Sequence, residues 1–145
     1  MLPDEVLQID QHDLKGVKNL FSKVGQIMLY VNDQDAAVKF WTEKLGFTVI
    51  AEENNNQGLR WIEMIPATGA ETSLVLHDKT FVSGMSPELN LDPPSLMFYT
   101  EDLEKLYSDL SNKKIQVGDI ITMPSGRVFN FADNEENYFA VMEKR

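Results

Sequence analysis

The sequence predicts an α+β fold made of two copies of a β-α-β-β-β unit. Three observations predict it. Short runs of strand formers alternate with two amphipathic helical stretches. The second half repeats the first, with Ser95-Leu-Met-Phe-Tyr-Thr100 lying over Gln26-Ile-Met-Leu-Tyr-Val31, 69 residues on. A Pro- and Gly-bearing stretch separates the halves. Self-similarity at one fixed offset is stronger support for a fold than any single element.

In the first unit, Gln26–Val31 is rich in strand formers. Asn32 and Asp33 offer side-chain oxygens to cap a helix. Ala37, Phe40, Trp41 and Leu45 then form one stripe of that helix. Gly46 suits the left-handed residue that ends it. Strands are expected at 47–53, 59–65 and 72–77, with Asn54 to Gly58 as a turn. Residues 78–94 hold Gly84, Pro87, Pro93 and Pro94 and read as a linker. In the second unit, Glu101 and Asp102 take the capping place, and Leu103, Leu106, Tyr107 and Leu110 form the helical stripe. Strands are expected at 117–122, 127–133 and 138–143. Residues 1–23 stand apart as an arm. Leu14, Val17, Leu20 and Phe21 have helical spacing there, so a short helix is expected at 13–22.

The 145 residues suffice for one domain, 24–145, with modules at about 24–77 and 95–143. Hydrophobic residues make up 43% and charged ones 25%, the balance of a folded soluble chain. The net charge of −10 and pI near 4.5 oppose binding to nucleic acid or anionic membranes, which needs a basic surface. The absence of cysteine rules out disulfides, thiolate metal sites and a cysteine nucleophile. No secretory signal pattern or membrane-length apolar run is present, so a cytoplasmic location is expected.

The stretch from Gln26 to Phe47 resembles the opening of the vicinal oxygen chelate superfamily, also called the glyoxalase/bleomycin resistance/dioxygenase superfamily: a strand, then D-x-x-A-x-x-F-[YW]-x-x-x-L-G-F. Phe131-Ala-Asp-Asn-Glu-Glu-Asn137 is similar to that family's F-x-D-P-[DE]-G-N turn. The resemblance implies two modules whose sheets curl around a shared cavity, with the helices outside. Alternation along the strands then assigns faces. Gln26, Met28 and Tyr30 face inward, as do Ser73, Val75 and His77, and Ser95, Met97 and Tyr99, and Tyr138, Ala140 and Met142. The third strand reads in either phase; an inward set of Trp61, Glu63 and Ile65 leaves Ile62 and Met64 for the outer core.

The resemblance also implies where a metal would sit: one ligand on each of four strands, here Gln26, Val75, Ser95 and Ala140. Two of these are hydrocarbon and one is a neutral hydroxyl, so no metal ion or other cofactor is expected. A divalent metal remains the alternative, in a glyoxalase-like lyase, isomerase or dioxygenase, with Glu63 as a catalytic acid/base group. Glu63 interrupts an otherwise apolar strand. The expected ligand is a small organic molecule held by Gln26, Met28, Tyr30, Trp61, His77, Ser95, Met97, Tyr99, Arg127 and Tyr138. The aromatic residues and methionines among them, with Phe129, would supply flat and pliable apolar contacts. Arg127 would pair with a ligand carboxylate or phosphate. A homodimer is expected, because single curled sheets leave their edges open.

Overall fold

Two four-stranded mixed sheets form the body of the computed structural model, which describes residues 19–144. Sheet A has the order β1-β4-β3-β2, from Gln26–Val31 (β1), Thr48–Asn54 (β2), Arg60–Ile65 (β3) and Ser73–Asp78 (β4). Sheet B repeats that order with Met97–Thr100 (β5), Ile121–Met123 (β6), Gly126–Ala132 (β7) and Tyr138–Glu143 (β8). In each sheet the first and last strands of the unit pair in parallel and the other pairs are antiparallel. The duplicated fold expected from the sequence is therefore present.

Each module helix starts where an aspartate can cap it. Asp33 accepts a hydrogen bond from Ala36 N at the start of α1 (Gln34–Lys39), and Asp102 accepts one from Lys105 N at the start of α3 (Leu103–Asn112). Helix α1 continues into a wider π turn, Phe40–Lys44, and ends at Gly46 with φ of 76°. The two helix ends meet at the exposed seam between the modules. Lys44 Nζ donates to the Lys113 carbonyl (3.5 Å), and Lys113 Nζ donates to the Lys44 carbonyl (2.8 Å), an exchange between equivalent residues of the repeat.

The same exchange of roles explains the arginines. Arg60, opening β3, binds Asp35 in the first turn of α1 (2.7 Å) and Glu52 (3.1 Å). Arg127, near the start of β7, binds Glu104 in the first turn of α3 (2.8 Å) and Glu143 (2.6 Å). Glu104 lies 69 residues after Asp35. Each pair ties a helix to its own sheet.

The helix-bearing faces of both sheets feed one core. Leu29, Val31, Ile62, Met64, Leu74 and Leu76 of sheet A join Phe129, Phe131, Phe139 and Val141 of sheet B. Trp41 sits between them, fully buried. Its ring meets Phe40 and Phe47 of its own module and Phe98, Phe131 and Phe139 of the other, with centroids 5.0–6.3 Å apart and mostly edge-to-face. The modules thus pack through their helix sides. Their opposite, concave faces line separate hollows, and no closed barrel forms within the chain.

Some boundaries differ from the sequence reading. The stretch 78–94 contains a helix, α2 (Lys79–Met85), capped by Asp78 accepting from Phe81 N. A Cβ on Gly58, whose φ is 95°, would lie 3.2 Å from the Phe81 ring and push it aside. Strand β6 is short, and Val117 makes only an isolated bridge to Phe131. Of the helix expected at 13–22, residues 19–22 belong to no helix or strand and are exposed, and the rest lies outside the described residues. Among the described residues no helix is long and apolar enough to cross a membrane.

The β7–β8 turn is held by Asp133, which accepts from Glu135 N, Asn137 N and Asn137 Nδ2. Glu136 occupies a left-handed conformation there, with φ of 64°. A side chain at such a φ costs free energy that glycine avoids. Glu136→Gly is expected to stabilise the protein by about 1 kcal/mol. Trp41→Ala is expected to destabilise it by about 3–5 kcal/mol, through lost contacts and a cavity between the modules. Urea unfolding of both variants checks this.

Candidate functional site

Alternation on sheet A leaves Gln26, Met28, Tyr30, Trp61, Glu63, Ser73, Val75 and His77 on the face away from the helices. Their strand neighbours Leu29, Val31, Ile62 and Met64 are buried in the core. The phase of the third strand, open in the sequence, is the one that sets Trp61 and Glu63 on this face. These residues form a trough. One end is a hollow of about 270 Å³ lined by Gln26, Met28, Trp61, Val75 and His77. The other is about 320 Å³ and includes Gln26, Ile50, Glu63, Ile65 and Ser73, with Lys23 and Glu71 at its margin. Gln26 belongs to both.

At the first end the contacts are aromatic and soft. Tyr30 stacks on His77 with centroids 5.6 Å apart and planes 25° apart. His77 Nε2 lies 3.1 Å from Met28 Sδ. In the tautomer protonated at Nε2 the ring donates to the thioether and leaves Nδ1 as an acceptor. Burial holds the His77 pKa below its ordinary value, so the ring is neutral at pH 7. At the second end, Glu63 Oε2 accepts from Ser73 Oγ (2.5 Å) and Gln26 Nε2 (3.2 Å). No hydrogen bond or ion pair engages Oε1 among the described residues.

The concave face of sheet B carries Met97, Tyr99, Ile121, Met123, Tyr138 and Met142. Met97, Tyr99, Met142, Ser125 and Lys144 line a hollow there of about 620 Å³. Tyr99 is 70% exposed and Tyr138 54%, unusual for such large rings. Ser95 is exposed just before β5.

The candidate ligand residues thus divide. Gln26, Met28, Tyr30, Trp61 and His77 share the sheet A trough with Glu63. Met97, Tyr99 and Tyr138 share the other concave face, with Ser95 in phase with them. Arg127 must be corrected. It faces the helix side, its guanidinium is occupied by Glu143 and Glu104, and those contacts raise its pKa. Phe129 is likewise core, fully buried under Tyr107. Ser73, the partner of Glu63, escaped the list of ligand contacts although its inward phase was legible.

The four positions where the resemblance places metal ligands hold an amide, Gln26, an alcohol, Ser95, and two hydrocarbons, Val75 and Ala140. Gln26 and Val75 lie on one sheet and Ser95 and Ala140 on or beside the other. This donor set does not fit a divalent ion. A further hollow of about 320 Å³ lies at the seam of the modules, among Leu45, Phe47, Pro66, Phe98, Leu106 and Phe131. Tyr99 and Thr100 also line it.

The Glyoxalase/Bleomycin resistance protein/Dioxygenase superfamily model matches residues 23–141. YetH of Bacillus subtilis (strain 168) is 31% identical over 125 residues, covering 86% of this chain and all of that protein. Among solved structures, TnmS3, an antibiotic binding protein from Streptomyces sp. CB03234, superposes with a TM-score of 0.73 at 27% identity, covering 88% of this chain and all of that one. A superfamily member from Sphaerobacter thermophilus DSM 20745 also gives 0.73, at 22% identity, over 86% and 99% of the two chains.

Because burial keeps His77 neutral in the fold, the unfolded chain takes up its proton first as pH falls. The stability that the neutral ring contributes is whole above pH 6.5 and is lost as pH drops below it. Between pH 7.5 and 5.5 the wild type is therefore expected to lose more urea stability than His77→Gln.

Proposed function

Because the chain belongs to the glyoxalase/bleomycin resistance protein/dioxygenase superfamily, we propose that it binds a small, flat organic molecule in the sheet A trough, with no metal ion at the four family positions, and acts as a homodimer. One observation carries this reading. The trough combines apolar and aromatic walls, Met28, Trp61, Val75 and the Tyr30–His77 stack, with a few fixed polar groups, Gln26, Glu63 and Ser73. That is the composition of an organic-ligand site. The donor set at Gln26, Val75, Ser95 and Ala140 favours binding without a metal. The likeness to TnmS3, described as antibiotic binding, favours a ligand-sequestering role over turnover.

The dimer follows from open faces. Met97, Tyr99, Ile121, Met123 and Tyr138 are all exposed on one face, and clustered exposed apolar side chains mark interaction surfaces. The trough on sheet A is open as well. A two-fold pairing that sets sheet A of one copy against sheet B of the other covers both at once and makes two identical cavities. In this arrangement Met97 and Tyr99 of the partner subunit roof the trough.

A thermal-shift panel of flat organic compounds, run in chelator, tests the reading. At least one compound should raise the melting temperature without added metal. Trp61→Ala should weaken that compound at least tenfold, while Arg127→Gln leaves its affinity unchanged. Binding that appears only with a divalent ion would contradict the proposal. Light scattering should give twice the 16.5 kDa chain mass. The mass of a single chain would remove the dimer.

A further inference from the structure

We infer that the trough selects ligands that carry a protonated amine beside a flat ring, the amine against Glu63 and the ring against Trp61 and His77. This rests on the trough being the ligand site, as proposed above, and names the class of ligand.

Glu63 receives two hydrogen bonds, both from neutral groups and both on Oε2. Arg60, Arg127 and Lys144 are each engaged with other acids, and no cationic group of the described chain pairs with Glu63. While the trough is open, water solvates Oε1. A ligand lying over Glu63 displaces that water. A neutral hydrocarbon or an anion would then leave a carboxylate buried with an unmatched charge, which is costly. An ammonium group restores the lost hydrogen bond and balances the charge.

The neighbouring groups push the same way. Glu53 lies opposite Trp61 on β2, on the same face, and Glu71 lines the margin. Among the described residues, Lys23 is the one amine lining this end of the trough, and it is exposed. His77 adds no positive charge, since its ring is held neutral. The trough therefore has an excess of negative charge. The spacing is set by the strand. Trp61 and Glu63 are two residues apart on β3, so their side chains leave the same face about 7 Å apart. A ring over Trp61 and the Tyr30–His77 stack places an amine on a two-carbon arm within reach of Glu63 Oε1.

Three probes that differ only at the end of the arm test this: 2-(naphthalen-2-yl)ethylamine, 2-(naphthalen-2-yl)ethanol and 3-(naphthalen-2-yl)propanoate. Binding is followed by the Trp61 indole N–H resonance in ¹⁵N-labelled protein and by calorimetry. The amine should bind at least tenfold more tightly than the alcohol, and the propanoate most weakly. Glu63→Gln, which keeps an acceptor for Ser73, should bring the amine down to the affinity of the alcohol. Equal affinities of amine and alcohol in the wild type, or an amine preference that survives in Glu63→Gln, would overturn the inference while leaving the trough a binding site. If none of the three shifts the Trp61 resonance, the reading of the trough as a ligand site falls, and this inference with it.

Discussion

The packing of Trp41 between the modules is the constraint on which the remaining architecture depends. A β-strand has only two faces, so a sheet whose helix side is committed to a core presents its other side outward. Trp41 reaches from α1 across the seam to Phe98, Phe131 and Phe139, and commits both sheets at once. The packing is tight enough that its indole N–H is buried without an acceptor among the described residues. A buried orphan donor costs about 1–3 kcal/mol, which the surrounding aromatic burial must exceed. With the helix sides joined, the concave faces cannot meet within the chain. Each is left as an open surface, and the position of the trough follows.

Duplication supplies the frame and divergence the chemistry. The structural devices recur at equivalent places. Asp33 and Asp102 cap the helices, Arg60 and Arg127 tie them to their sheets, and Lys44 and Lys113 close the seam. The concave faces do not recur. Sheet A places Gln26, Glu63, Ser73 and His77 among its apolar residues, whereas sheet B offers mainly methionine, tyrosine and isoleucine there. One concave face is therefore mixed polar and apolar, and the other mainly apolar.

Much of this was legible in the sequence, for physical reasons. Period-two alternation on β1, β4 and β8 needs only one correct phase per strand. The capping aspartates were legible because their chemistry is local. The role of Arg127 was not legible because its facing depends on the Ser125-Gly126 turn, whose geometry one cannot infer from composition. Its twin relation to Arg60, through Asp35 and Glu104, was present but needed the pairing of acids as well as strands. Helix α2 was hidden because Gly84 and Pro87 outweighed the cap at Asp78. The relation between modules was not legible at all. Alternation says which residues share a face, but not where the other face finds its cover.

That cover is the central claim, and the methionine methyl groups report on it directly. In one chain Met97 is 46% exposed, Met123 47% and Met85 70%, while Met64 is fully buried. With ¹³C-labelled methionine methyls and a soluble paramagnetic relaxation agent, a second copy seated on the concave faces predicts slow relaxation for Met97 and Met123, close to that of Met64, and fast relaxation for Met85 on α2. Relaxation of Met97 and Met123 as fast as that of Met85 would contradict the account.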